Sequence, residues 1–135
     1  MLNFLLYLTP VGQEIASVIR QSNFKLNQNS AVCRNKELFG IIVKRDLTIC
    51  LNNIKNKISP VEYYVNETLN HEAVHVAQSC KGGKLGVSTA FDKYKLNEAR
   101  RSSKVGGSDS VREQEAYELE DKPEQVLAVL RKYCP

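Results

Sequence analysis

No stretch of the 135-residue chain approaches the roughly 18 to 20 apolar residues that a membrane-crossing helix needs, so a transmembrane segment is excluded. The one apolar run near the start, residues 2–8, lacks a positively charged flank and a clear small-x-small cleavage site. It reads as an N-terminal segment packed on the core, and the chain as soluble or secreted. There is no C-x-x-C pair among the four cysteines, which removes the usual structural zinc-ribbon and redox spacings. Nor is there a block of one charge. Lysine and arginine number 19 against 15 acids, and the densest basic run is only Lys93, Lys95, Arg100, Arg101 and Lys104. A nucleic-acid binder concentrates such residues on one face, so nucleic acid is not an expected partner. Internal repeats and long low-complexity tracts are also missing.

What remains is ordinary for a packed domain: 42% hydrophobic and 25% charged residues, in a length that suits one hydrophobic core and not two. Residues 1–135 are therefore expected to form a single domain. Thr9 followed by Pro10 marks a helix start, and Val11, Ile15, Val18 and Ile19 recur at helical spacing, which predicts a helix over residues 10–21. Residues 22–30 are asparagine-rich and read as a loop. Three short runs, AVCR, FGIIVKR and LTICLN, read as strands of a small antiparallel sheet with residues 47–51 at its edge. Ser59, Pro60 and Glu62 read as a capping box with proline at the first helical position. Val61, Val65, Leu69, Ala73 and Val76 then form a buried stripe that Gly82 and Gly83 end. Further helices are expected over residues 89–101, over residues 111–121 and after Pro123, with residues 102–110 as a flexible loop.

Cys33, Cys50, Cys80 and Cys134 form an even set that reads more like disulfide partners than metal ligands. Three pairings are open, and a cytosolic chain with reduced, buried cysteines is the competing reading.

The chain has two histidines, and both fall in His71-Glu72-Ala73-Val74-His75, inside the predicted helix that starts at Pro60. Residues four apart share a helix face, so both imidazoles reach one ion, and Glu72 reaches a water on that ion. Zinc suits this set, because it takes neutral imidazole and carboxylate in tetrahedral geometry and keeps one position open for water. The expected chemistry is hydrolysis of a peptide bond in a peptide or protein substrate, by a zinc-activated water with Glu72 as general base. A third protein ligand is required, and with no third histidine a carboxylate is preferred over a cysteine.

His71-Glu72-x-x-His75, followed downstream by Arg112-Glu113-Gln114-Glu115-Ala116-Tyr117, resembles the gluzincin metallopeptidases, whose third ligand is a glutamate on a second helix. In several such families a small residue lies three positions after that glutamate, as Ala116 follows Glu113. The resemblance covers residues 47–120. It implies a zincin-like α+β fold in which the helix carrying the motif packs on a second ligand helix beside a small antiparallel sheet. It also implies Glu113 as third ligand, and residues 47–51 as an edge that holds an extended substrate. The residue after the small one is Tyr117 here, where an acid or amide is usual.

Several alternatives stay open on the residues alone. Glu115 and Glu118 compete for the ligand role, and Glu113 also fits a capping box with Ser110. Tyr94 and Tyr117 are candidate oxyanion donors, and Gln78 and Glu67 are candidates for supporting the ligands. The competing functional class is a non-catalytic zinc-binding or disulfide-stabilised interaction domain.

Overall fold

A computed structural model describes residues 2–87 and 110–134 of the chain. The expected helix over residues 89–101, most of the expected 102–110 loop, and Tyr94 lie outside the described residues. The apolar start packs inward: Asn3–Tyr7 forms one 3-10 turn with Phe4 fully buried. Helix α1 (Pro10–Gln21) begins where the sequence places it, with the Thr9 hydroxyl accepting from Gly12 N at 3.0 Å, and it buries Ile15, Ala16 and Ile19.

The next segment departs from expectation. Lys25–Gln28, inside the expected loop, is strand β1, and AVCR is a 3-10 turn (Ala31–Arg34) instead of a strand. Strands β2 (Gly40–Val43) and β3 (Asp46–Ile49) form the expected hairpin, closed by Lys44 at φ 57° and Arg45. The sheet order is β1-β3-β2, with β1 parallel and β2 antiparallel to β3, so the sheet is mixed and not antiparallel. Residues 47–51 are not its edge either. β3 is the central strand, and after Cys50 the chain turns at once into α2 (Leu51–Lys57), which buries Leu51 and Ile54 at helical spacing. Asparagine-rich KLNQ has weak strand propensity, and its pairing with β3 decides its conformation.

Helix α3 (Val61–Lys81) is the axis of the fold and packs against α1, α2, β2 and β3, as well as α4 (Ser110–Leu119) and α5 (Pro123–Tyr133). Pro60 is its N-cap residue with no side-chain cap bond, so Ser59 lies outside and the expected capping box does not form. Gly82 ends it at φ 88°, donating back to Gln78 O at 2.8 Å. Of the predicted stripe, Val65, Leu69, Ala73 and Val76 are fully buried and Val61 is half-buried, and Val74 and Ala77 are fully buried beside it. Burial of a side chain such as Leu69 contributes about 1.5 to 3 kcal/mol. Disulfides Cys33–Cys50 and Cys80–Cys134 settle the pairing; the second ties the end of α3 to the end of α5. The architecture is α+β, and no described helix is long and apolar enough to cross a membrane.

Candidate metal centre

His71 and His75 sit one turn apart on α3, with ring centroids 5.3 Å apart. Helix α4 crosses this face with Ala116 fully buried, and the absence of a larger side chain there lets the two backbones approach. The approach brings Glu113, from the first turn of α4, onto both rings. Its Oε2 lies 3.4 Å from His71 Nε2, and its Oε1 pairs with His75 Nε2. One ligand atom from each of the three residues lies within 4.8 Å of the other two. Among the described residues this is the one group of three or more such side chains with that property.

The far nitrogen of each ring is held as well. His71 Nδ1 lies 3.1 Å from Glu120 Oε1, and His75 Nδ1 lies 2.8 Å from Gln78 Oε1. A carboxylate and an amide oxygen only accept, so both Nδ1 atoms donate and both Nε2 atoms face the common point. Glu120 carries no sequence motif of its own; it lies one residue past the end of α4, and the signal for it was its spacing of seven residues from Glu113, which continues the inward face of that helix.

Glu72 is buried on the neighbouring face of α3, against β2. Gly40 makes that contact close: a Cβ there would lie 2.6 Å from Thr68 Cγ2 and 3.3 Å from Glu72 Cγ. Sequence reasoning missed Gly40, because a glycine at the start of a strand gives no hint of the helix that crosses it.

The charges of the site are interdependent. Burial opposes charge on His71, yet hydrogen bonds with Glu113 and Glu120 and the charge of Glu72 raise its pKa well above the usual imidazole value. His75 follows the same balance, with burial outweighed mainly by the bond to Glu113 and the charge of Glu72. For Glu113 burial is again the largest influence, but the two imidazoles overcome it and hold the carboxyl at about 2. Glu72 is raised by burial, with the imidazole charges pulling it back. Glu67 is raised to about 7 by burial and by its neighbour Glu120.

The other candidates separate cleanly. Glu115 is buried and turned away from the rings, accepting from Gln78 Nε2 and from the backbone N–H groups of Leu85, Gly86 and Val87. Glu118 lies beside Lys122. Tyr117 packs edge-on against His71 with centroids 4.6 Å apart. The site lies in a cleft of about 740 Å³ between a helical wall, with Glu67, Thr68, His71, Glu72, His75, Glu113 and Tyr117, and a strand wall of residues 37–42 with Asn35 and Lys44. Asn53 braces that second wall from behind, its amide nitrogen within 3.1 Å of the carbonyls of Cys33, Asn35 and Leu38.

Residues 4–135 match the model of a family described as a domain of unknown function, DUF8637, and the chain belongs to that family. Neither the curated proteins nor the solved structures contain a match to it.

Proposed function

We propose that this protein is a zinc-dependent peptidase of zincin-like design, with His71, His75 and Glu113 as ligands and Glu72 as general base. The observation that carries the reading is the convergence of the Glu113 carboxylate with Nε2 of both histidines on the floor of an open cleft. Two imidazole nitrogens and a carboxylate oxygen are a donor set zinc accepts, with a position left for water. Bound there, zinc would supply a Lewis acid that acidifies water and polarises a substrate carbonyl.

The chain's own residues do the rest. Glu113, held near 2, stays anionic at any working pH. Glu72, raised by burial, is closer to neutrality than a free carboxylate and serves both to take a proton from the attacking water and to return it to the leaving amine. Phe39 O accepts from Cys50 N, so the ladder alternation turns the N–H and C=O groups of Gly40 and Ile42 outward from β3. An extended peptide or protein segment adds to that edge, which is unpaired among the described residues and replaces residues 47–51 in the role of substrate edge. Two disulfides and no free cysteine fit an oxidising compartment.

The test is zinc content and peptide hydrolysis, measured together on wild type and on Glu72→Gln. Wild type should carry one zinc and cleave an unfolded protein substrate, and the variant should keep the zinc and lose the cleavage. Stoichiometric zinc in a wild type that cleaves nothing would favour the competing reading, a non-catalytic zinc-binding domain stabilised by disulfides.

A further inference from the structure

The two histidines are backed differently. His71 donates from Nδ1 to a carboxylate, whereas His75 donates to the neutral amide of Gln78. An amide in that place is ambiguous, because a flip would present its NH2 to Nδ1 and favour the opposite tautomer. Two acceptors prevent the flip. Gln78 Nε2 donates to Arg112 O at 3.0 Å and to Glu115 Oε1 at 2.9 Å, which leaves only Oε1 to face the imidazole. Gln78 and Glu115 are each 1% exposed, so neither has water as an alternative partner. Glu115 cannot rotate away either, since three backbone N–H groups hold it: Leu85 N, Gly86 N and Val87 N donate to its two oxygens at 2.8, 2.7 and 3.2 Å.

We infer that Glu115, acting through Gln78, is a positioning residue that fixes His75 with Nδ1 protonated and Nε2 aimed at the metal. The inference rests on the zinc-site reading above. It gives the second glutamate of Glu113-Gln114-Glu115 a task distinct from the first: Glu113 meets the ion, while Glu115 orients a ligand from behind. Groups behind a ligand histidine typically affect metal affinity by about 10- to 100-fold.

The experiment is zinc affinity by chelator competition for wild type, Gln78→Leu, Glu115→Gln, Glu115→Leu and the Gln78→Leu/Glu115→Gln pair, with a melting temperature for each. Imidazole nitrogen NMR of the zinc-loaded wild type accompanies it. Each single variant should bind zinc roughly 10- to 100-fold more weakly. The pair should be no weaker than Gln78→Leu alone within about twofold, since Glu115 acts through Gln78. The wild-type spectrum should show His75 bound through Nε2 with a proton on Nδ1. If Glu115→Leu does not fold, Glu115→Gln and the spectrum decide the question. Glu115→Gln that melts lower but keeps wild-type zinc affinity would reduce Glu115 to an anchor for residues 85–87 and overturn the inference, as would multiplying losses in the pair or ligation of His75 through Nδ1. A wild type with no zinc affinity would instead remove the zinc-site reading, and the inference with it.

Discussion

The two walls of the cleft are built on opposite principles. On the helical wall, formed by α3 and α4, the polar side chains are buried and tied: each imidazole is engaged at both nitrogens, and Gln78 and Glu115 are sealed from solvent. On the strand wall, Leu38, Phe39, Ile41 and Ile42 are only half-buried and Val43 is exposed. That wall is held from behind, by pairing with β3, by Asn53 and by the Cys33–Cys50 disulfide. The contrast teaches where precision is needed. Metal ligands must be fixed to a fraction of an ångström, whereas a surface that receives extended chain needs a free backbone edge and tolerant apolar contacts.

Changes on the two walls should therefore separate. The largest effect is expected for His71→Ala, His75→Ala and Glu113→Ala, none of which should retain stoichiometric zinc by native mass spectrometry, because two remaining ligands do not hold the ion tightly. Full retention in any of them would blur the contrast at its centre. Next, Glu72→Gln should lower kcat at least about 100-fold with zinc unchanged, as loss of a general base does.

On the strand wall, Ile42→Pro removes an N–H that points away from β3, so the sheet should survive while a substrate bond is lost. KM should rise roughly tenfold at wild-type zinc affinity, in line with about 0.5 to 1.5 kcal/mol per backbone hydrogen bond. Lost zinc in that variant would show that the walls are not independent. Gly40→Ala probes their junction. The added methyl meets Thr68 Cγ2, and overpacking of this kind should destabilise by about 1 to 3 kcal/mol in denaturant titration.

The smallest effect is a shift in thermal stability with pH. Without metal, the raised His71 and His75 values contribute stability that is complete below 6.5 and is lost as pH rises through the folded values. Glu113 contributes stability that is complete above 4.5 and is lost as pH falls toward 2. Calorimetry in chelator should thus find the highest melting temperature between these limits. Glu72, raised from 4.5, and Glu67, raised to about 7, start to lose stability as pH rises above 4.5, so they move the maximum toward the acid limit and precede the alkaline decline of the histidines. Saturating zinc should reverse that decline, because the ion needs deprotonated imidazoles. An alkaline decline that zinc leaves unchanged would count against the ligand assignment.

Local signals carried α1, α3 and the last helix: Thr9-Pro10, the stripe from Val65 to Val76 with Gly82 after it, and the proline at 123 all act within a few residues of themselves. They failed where a distant partner set the conformation. β1 exists because β3 lies beside it, and residues 47–51 split between a central strand and a helix that the apolar pattern alone does not distinguish. The capping-box reading of Ser59 failed within its own turn, since Pro60 occupies the cap position.

By itself the sequence determined the spacing of His71, Glu72 and His75, since a helix turns through a fixed angle per residue and therefore puts positions four apart on one face. Among the three glutamates within six residues of α4 the resemblance favoured Glu113, but side-chain chemistry alone left Glu115 and Glu118 as rivals. Only the packing of α4 across α3 placed Glu113 on the two imidazoles, turned Glu115 toward Gln78 and left Glu118 beside Lys122. The edge of the sheet was likewise a tertiary decision, made when β1 joined β3 and left β2 on the outside. The reason is common to both: a carboxylate's role and a strand's exposure depend on neighbours far away in sequence, whose approach is set by burial of the whole core.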